Sequence, residues 1–377
     1  MTGGAPQRLH PAVLSAVSLL GGVSLAVIPA ATLSIATRTF ATTQQGFISV
    51  TITAATFISQ LAFAGLVESR LSSARTDRRV TFPRWLAIAS IIAALAVGFA
   101  FTNVVVLCIA LPILLASLEV GRGVSVAERL DIREIWAATL VGVGALTGVL
   151  VAFTGGRWGF IPLVIGIALA TLVRTRPVQH TASRPDPAVV GWVLADVAIT
   201  GIIYPVINTF ILLFIGPIEA VLFTAISTVS GLLAIPLNFM RLRLLKAHSP
   251  LDIWVSASAI FLALIAIAVL EMTGALAFIF HGSWTIQATV FALTIACVWR
   301  AASLATTLPF AALRRTGHVK LLAGLRAACA LVTFGGALAV LQLHSLTVIF
   351  TVMLIGEALQ AITYELARRR VRIREAQ

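Results

Sequence analysis

Charge is what this sequence has least of. Of 377 residues only 11% are Asp, Glu, Lys or Arg, against about 25% in soluble domains, which excludes an ordinary water-soluble globular protein. Cysteine is scarce too. Cys108, Cys297 and Cys329 stand inside apolar runs without paired spacing, so neither a disulfide frame nor a zinc site follows. The six histidines, His10, His180, His248, His281, His318 and His344, are scattered through tails and connections. His-Glu-x-x-His, Walker-type and dinucleotide glycine patterns are all missing, which argues against a metalloprotease, a nucleotide-driven motor and a dinucleotide enzyme. No metal, cofactor or nucleic-acid partner is expected.

What is abundant is apolar sequence: 59% of residues are hydrophobic and the mean hydropathy is +1.03. Runs of span length cover about 14–36, 47–67, 84–101, 104–119, 135–153, 158–173, 189–214, 218–240, 253–270, 285–305, 321–341 and 345–366. Each crossing of the hydrocarbon takes about 20 residues, so twelve consume roughly 240 and leave about 140 for loops and tails. An all-α integral membrane protein without an extramembrane domain is expected. The first run is preceded only by Arg8 and exceeds a signal peptide's short apolar core, so it is expected to be retained.

The cations set the expected orientation. The even connections are basic, as in "ESRLSSARTDRRVTFPR", "RTRPVQHTASRPDP" and "RRTGHVK", whereas the odd ones carry only Arg38 and Arg157 among the 27 Lys plus Arg. The bias puts the even connections and both termini in the cytoplasm, in a multi-pass protein of the cytoplasmic (inner) cell membrane. Much of the +13 net charge is then an orientation signal rather than a nucleic-acid patch. Enzyme readings fare poorly on the outer face. The first outer connection, "RTFATTQQ", has none of the paired carboxylates of a multi-span glycosyltransferase, and the longest, "EMTGALAFIFHGSWTIQ", is itself largely apolar.

The chain divides after its sixth span. Residues 1–174 form an expected six-helix lobe, 175–188 a proline-bearing cytoplasmic linker, 189–366 a second six-helix lobe, and 367–377 a basic tail. A shift of 176 residues brings Pro29 onto Pro205. Two such lobes around a central cavity would be parallel repeats with cargo at their interface and alternating access by rocking.

Arg38, Phe40, Gly46, Phe47, Gly65 and Arg70 in "TRTFATTQQGFISVTITAATFISQLAFAGLVESRL" resemble the first loop and second helix of the polysaccharide (O-antigen, lipid-linked oligosaccharide) flippases. These belong to the multidrug/oligosaccharidyl-lipid/polysaccharide exporter superfamily. "WVLADVAITGIIYPVINTFILLFIGPIEAVLFTAISTVSGLLAIPLNFMRLRLLKA", with Pro236, is similar to the family's seventh and eighth helices. The resemblance implies movement of a lipid-linked glycan between leaflets, with membrane lipids and polysaccharide assembly proteins as partners. A cation-coupled drug exporter of the same superfamily and a non-transporting membrane scaffold of a polysaccharide assembly complex are the alternatives. Without a nucleotide site, H+ or Na+ is the expected energy source for uphill movement.

Polar residues inside spans are the candidate site. Asp196 lies about eight residues into the seventh span, on the order of 12 Å deep. Arg326 and Glu357 reach similar depth in the eleventh and twelfth. An isolated charge there costs about 2.5–3.5 kcal/mol, and pairing is the usual remedy. Asp196, Arg326 and Glu357 are therefore either a buried ion pair or a coupling site for H+ or Na+. Arg38 is either a guide for an anionic cargo or an interfacial arginine. Gln60 and Asn208 are cavity candidates or interhelical bridges, bridging being the commoner outcome. Gln44, Gln45 and Asn103 are candidates for an outer mouth.

Overall fold

A computed structural model describes residues 11–71, 80–128, 130–175, 187–237, 250–281, 284–315 and 319–376. All twelve expected spans are helical, and no strand occurs among the described residues. In chain order they are α1 (Pro11–Thr39), α2 (Thr42–Phe63, extended by a π-helical turn at Ala64–Glu68), α3 (Arg84–Phe99), α4 (Val104–Ala127), α5 (Asp131–Phe153) and α6 (Phe160–Arg174). The second six are α7 (Pro187–Gly201, continuing as Ile203–Phe214), α8 (Pro217–Gly231), α9 (Pro250–Met272), α10 (Ile286–Arg315), α11 (Val319–Val340) and α12 (Leu346–Ala376). Eight helices are long and apolar enough to cross a membrane, and shorter apolar helices fill the other four places. The physical reason is common to all: hydrocarbon offers no hydrogen-bond partners, so each segment satisfies its own backbone.

Several boundaries differ from expectation, among them the tenth span, expected to end near 305, which continues to Arg315. The fourth span, expected to end near 119, continues to Ala127. Glu119 and Arg122 look like the start of a loop but lie inside the helix, Arg122 Nη1 standing 4.0 Å from Glu119 Oε1 with each side chain about a quarter exposed. The expected basic tail is the last part of α12, which stays helical to Ala376. Most of the expected 175–188 linker (176–186) lies outside the described residues, as do His10, His180, His248 and His318.

Close approach comes from small residues. A Cβ on Gly144 of α5 would stand 2.7 Å from the Pro162 carbonyl of α6, and one on Gly166 would stand 2.6 Å from the Leu140 carbonyl. These helices therefore touch backbone to backbone, a contact only glycine permits. One buried apolar cluster runs through both halves of the chain, joining Ile28, Leu114 and Val141 to Ile207, Phe223 and Phe350.

Candidate functional site

Polar side chains at helical spacing open a cavity in the second half of the chain. On α10, Trp299, Ser303, Thr306 and Phe310 recur at intervals of four, three and four, which places them on one face. On α12, Met353, Glu357, Gln360 and Tyr364 do the same. The two faces meet across a cavity of about 290 Å³ that α7 and α11 close with Thr200, Tyr204, Arg326 and Thr333.

Its chemistry is an aromatic floor with charged walls. The Tyr204 and Trp299 rings stack at 5.5 Å, and Phe223 stacks on Phe350 at 5.2 Å. The Arg300 guanidinium lies 4.3 Å from the centre of Trp299, and its Nη2 donates to the Tyr204 hydroxyl at 2.6 Å. Cation–π contact and a hydroxyl acceptor together make an arginine tolerable at this depth. The Nε atoms of Arg300 and Arg326 are buried without a hydrogen-bond partner among the described residues. Both arginines line the cavity through other atoms of their side chains.

Asp196 meets Arg326, as the depth of the two residues predicts. Arg326 Nη1 donates to Asp196 Oδ1 at 2.7 Å, the side chains being 14% and 22% exposed. Arg326 also lies 5.3 Å from the Phe310 ring centre. Glu357 does not join them. Its Oε1 accepts from Thr306 Oγ1 at 2.6 Å, and no cation stands within ion-pair distance of it among the described residues. The three residues of comparable depth are therefore a closed pair and a carboxylate held by a neutral hydroxyl.

Asp196 and Arg326 form a partly buried ion pair, and its loss has a defined cost. Asp196→Asn leaves the Arg326 charge partly buried without its counter-ion, so stability falls by about 2 kcal/mol, within the 1–3 expected for an orphaned buried polar group. Thermal unfolding in micelles measures this.

The remaining sequence candidates lie outside the cavity. Arg38 fastens the two halves together: its Nη1 donates to the Ile279 carbonyl at 2.7 Å and to the Ser34 carbonyl at 3.0 Å, and its Nη2 donates to the Phe278 carbonyl. Its Cζ stands 4.0 Å from the Phe153 ring centre, and that ring stacks on Phe278 at 4.4 Å. Arg38 is thus a latch rather than a snorkelling side chain. Asn208 is fully buried, and its Nδ2 donates to Thr224 Oγ1 at 2.9 Å and to Thr53 Oγ1 at 3.4 Å. It bridges helices of the two halves and is not part of the lining of this cavity. Gln60 is exposed on α2 and faces α7, where a Cβ on Gly201 would stand 3.6 Å from its Oε1, but it does not line this cavity. Gln44 and Gln45 hold the α1–α2 turn through the Ala41 N–H and the Thr37 and Phe40 carbonyls. Asn103 caps α4 by accepting from the Val105 N–H at 2.9 Å. None of the three forms an outer mouth, because a side-chain amide beside a helix start finds backbone partners first.

Several charges escaped sequence reasoning. Arg300 interrupts "LTIACVWRAASLA" and gave a direct signal as a lone cation within a span. Glu134 and Arg174 form a buried pair in the first half, 2% and 0% exposed, with Nη2–Oε1 2.5 Å and Nε–Oε2 3.1 Å. Glu271 is buried in α9 and accepts from Trp284 Nε1 at 3.0 Å and Thr289 Oγ1 at 3.4 Å.

Comparison with known proteins gives structural likeness alone. No family model and no curated protein matches the sequence. The chain is similar to a solved structure called protein A, with TM-score 0.57 and 16% identity over 97% of both chains. It is similar to MATE in the bent conformation, with TM-score 0.50 and 14% identity over 95% of this chain and 93% of that one. It is also similar to MATE in complex with MaL6, with TM-score 0.50 and 16% identity over 98% and 90%. The fold of this chain is that of the MATE structures.

Proposed function

We propose that this protein is a membrane transporter of the MATE kind, an exporter of small amphipathic molecules that works by alternating access and is coupled to H+ or Na+. The carrying observation is the cavity. At about 290 Å³ it has the dimensions of a site for a small organic molecule, an aromatic floor and a few convergent polar groups. The likeness to MATE structures supports the same choice within the superfamily suggested by the sequence. A lipid-linked glycan, with polysaccharide assembly proteins as partners, gains no support from the comparisons, and several sugars would not fit the cavity volume.

In this proposal residues 1–174 and 189–366 act as the two moving lobes. The end of the bundle carrying the odd connections is shut by Arg38, Ser34 and the Phe153–Phe278 stack, which tie α1 and α5 to the short helix Ala275–Phe280. Opening that end requires these contacts to part, and discrete rearrangement of a packed interface is the usual form of such a transition. Arg300 and Arg326 offer donors to acceptor groups on the cargo, while Trp299 and Tyr204 stack with its apolar part.

Glu357 is the proposed coupling group, because it is the cavity carboxylate without a paired cation. Uptake of H+ or Na+ by that carboxylate removes an unpaired charge from the cavity wall, and release restores it. Glu357→Gln keeps an acceptor for Thr306 and deletes the charge. The expected result is exchange of cargo that no longer accelerates under an imposed proton or sodium gradient in proteoliposomes. A gradient response equal to that of the wild type would remove Glu357 from the coupling step.

A further inference from the structure

We propose that the outer face of the α10–α12 helix pair binds one anionic phospholipid of the surrounding membrane. The site is a groove of about 540 Å³ on the opposite side of these helices from the cavity. Its floor is apolar, formed by Ala305, Leu308 and Pro309 of α10 with Ile362 and Leu366 of α12. Ile362 and Leu366 are 58% and 52% exposed, so the floor faces hydrocarbon and accommodates an acyl chain. Arg368 and Arg369 form the rim at one end.

Register fixes the height of that rim. The Phe310 and Tyr364 rings approach to 6.3 Å and set the two helices side by side. Arg368 and Arg369 follow Tyr364 by four and five residues, about 6–8 Å further along the axis. They stand level with the last turn of α10, which ends at Arg315. An apolar slot ending in guanidinium groups one turn beyond it matches the layout of a phospholipid, chain inward and phosphate at the rim.

The charges are complementary as well. Arg368 and Arg369 share one carboxylate, Glu365, at 2.8 Å and 3.0 Å, which leaves one positive charge uncompensated at the rim. Each guanidinium has five N–H donors in a planar fork suited to phosphate oxygens. Glu365 uses only part of them, and the Arg369 side chain is 71% exposed. A zwitterionic headgroup would bring its own cation against this rim. An anionic one would not.

The test is native mass spectrometry of the purified full-length protein in micelles containing equal phosphatidylglycerol and phosphatidylcholine. The wild type retains one phosphatidylglycerol preferentially. R368A/R369A weakens that retention by about thirtyfold, following the attraction expected for two arginines near an anionic surface. Because the double variant also frees Glu365, Leu308→Trp provides a second arm that leaves the rim intact and fills the floor, and it too loses the lipid. Equal retention of both lipids by the wild type, undiminished preference in either variant, or complete displacement of the lipid by inorganic phosphate would overturn the proposal.

Discussion

Glu134→Ala lowers the stability of the protein by about 3–5 kcal/mol, the range expected when a fully buried ion pair loses one partner. Arg174 has no exposed surface, and its Nη1 also donates to the Leu118 carbonyl at 3.3 Å. The cation therefore cannot swing out to water when Glu134 is gone. Relaxation is hindered by the packing around the pair as well: a Cβ on Gly21 would stand 2.6 Å from Glu134 Oε1, which shows how tightly α1 closes over it. The variant consequently keeps the Arg174 charge in a closed site without its hydrogen-bonded counter-ion. Replacing both partners by apolar residues of similar shape, Glu134→Leu with Arg174→Met, removes that penalty and recovers most of the stability, since such pairs are costly to desolvate and their joint removal is often neutral. Denaturant unfolding in micelles measures all three proteins. A loss below about 1 kcal/mol in Glu134→Ala, the scale of an exposed pair, would mean that water reaches the site.

The twelve helices were legible because each is a run of apolar residues close to the hydrocarbon thickness, a signal that survives without any tertiary information. The Asp196–Arg326 pair was legible for a related reason. Depth in a span follows from counting residues, so two opposite charges at equal depth in one half become candidate partners. Depth alone does not give the Glu357 partner, Thr306, since it says nothing about which face of α12 a residue occupies. Glu134 and Arg174 were hidden because both stand near charged connections, where burial leaves no trace in composition. The end of α4 was misjudged on the same ground. Arg38 was noticed but not its partners: the carbonyls of Phe278 and Ile279 are backbone atoms, and any residue supplies them. Arg300 could have been found, since a lone cation inside an apolar run marks either a cavity or an ion pair.

The second large effect concerns the cavity itself. Ala330 of α11 lines it, and its neighbour Leu331 points away, 71% exposed on the bundle surface. Tryptophan at position 330 fills space that the cargo needs between Trp299, Arg326 and Glu357. Tryptophan at position 331 adds the same bulk toward the lipid. The pair holds residue type, helix and approximate depth constant, so general disturbance of α11 affects both variants alike. Cargo that never enters the cavity would be indifferent to the difference between them.

The decisive measurement is export of a fluorescent amphipathic compound from proteoliposomes carrying wild type, Ala330→Trp or Leu331→Trp at matched protein density. A cargo site between α7, α10, α11 and α12 predicts that Ala330→Trp falls by at least about tenfold, as expected for a filled small-molecule pocket, while Leu331→Trp stays within about twofold of wild type. Equal export by the two variants, whether both active or both inactive, would contradict it.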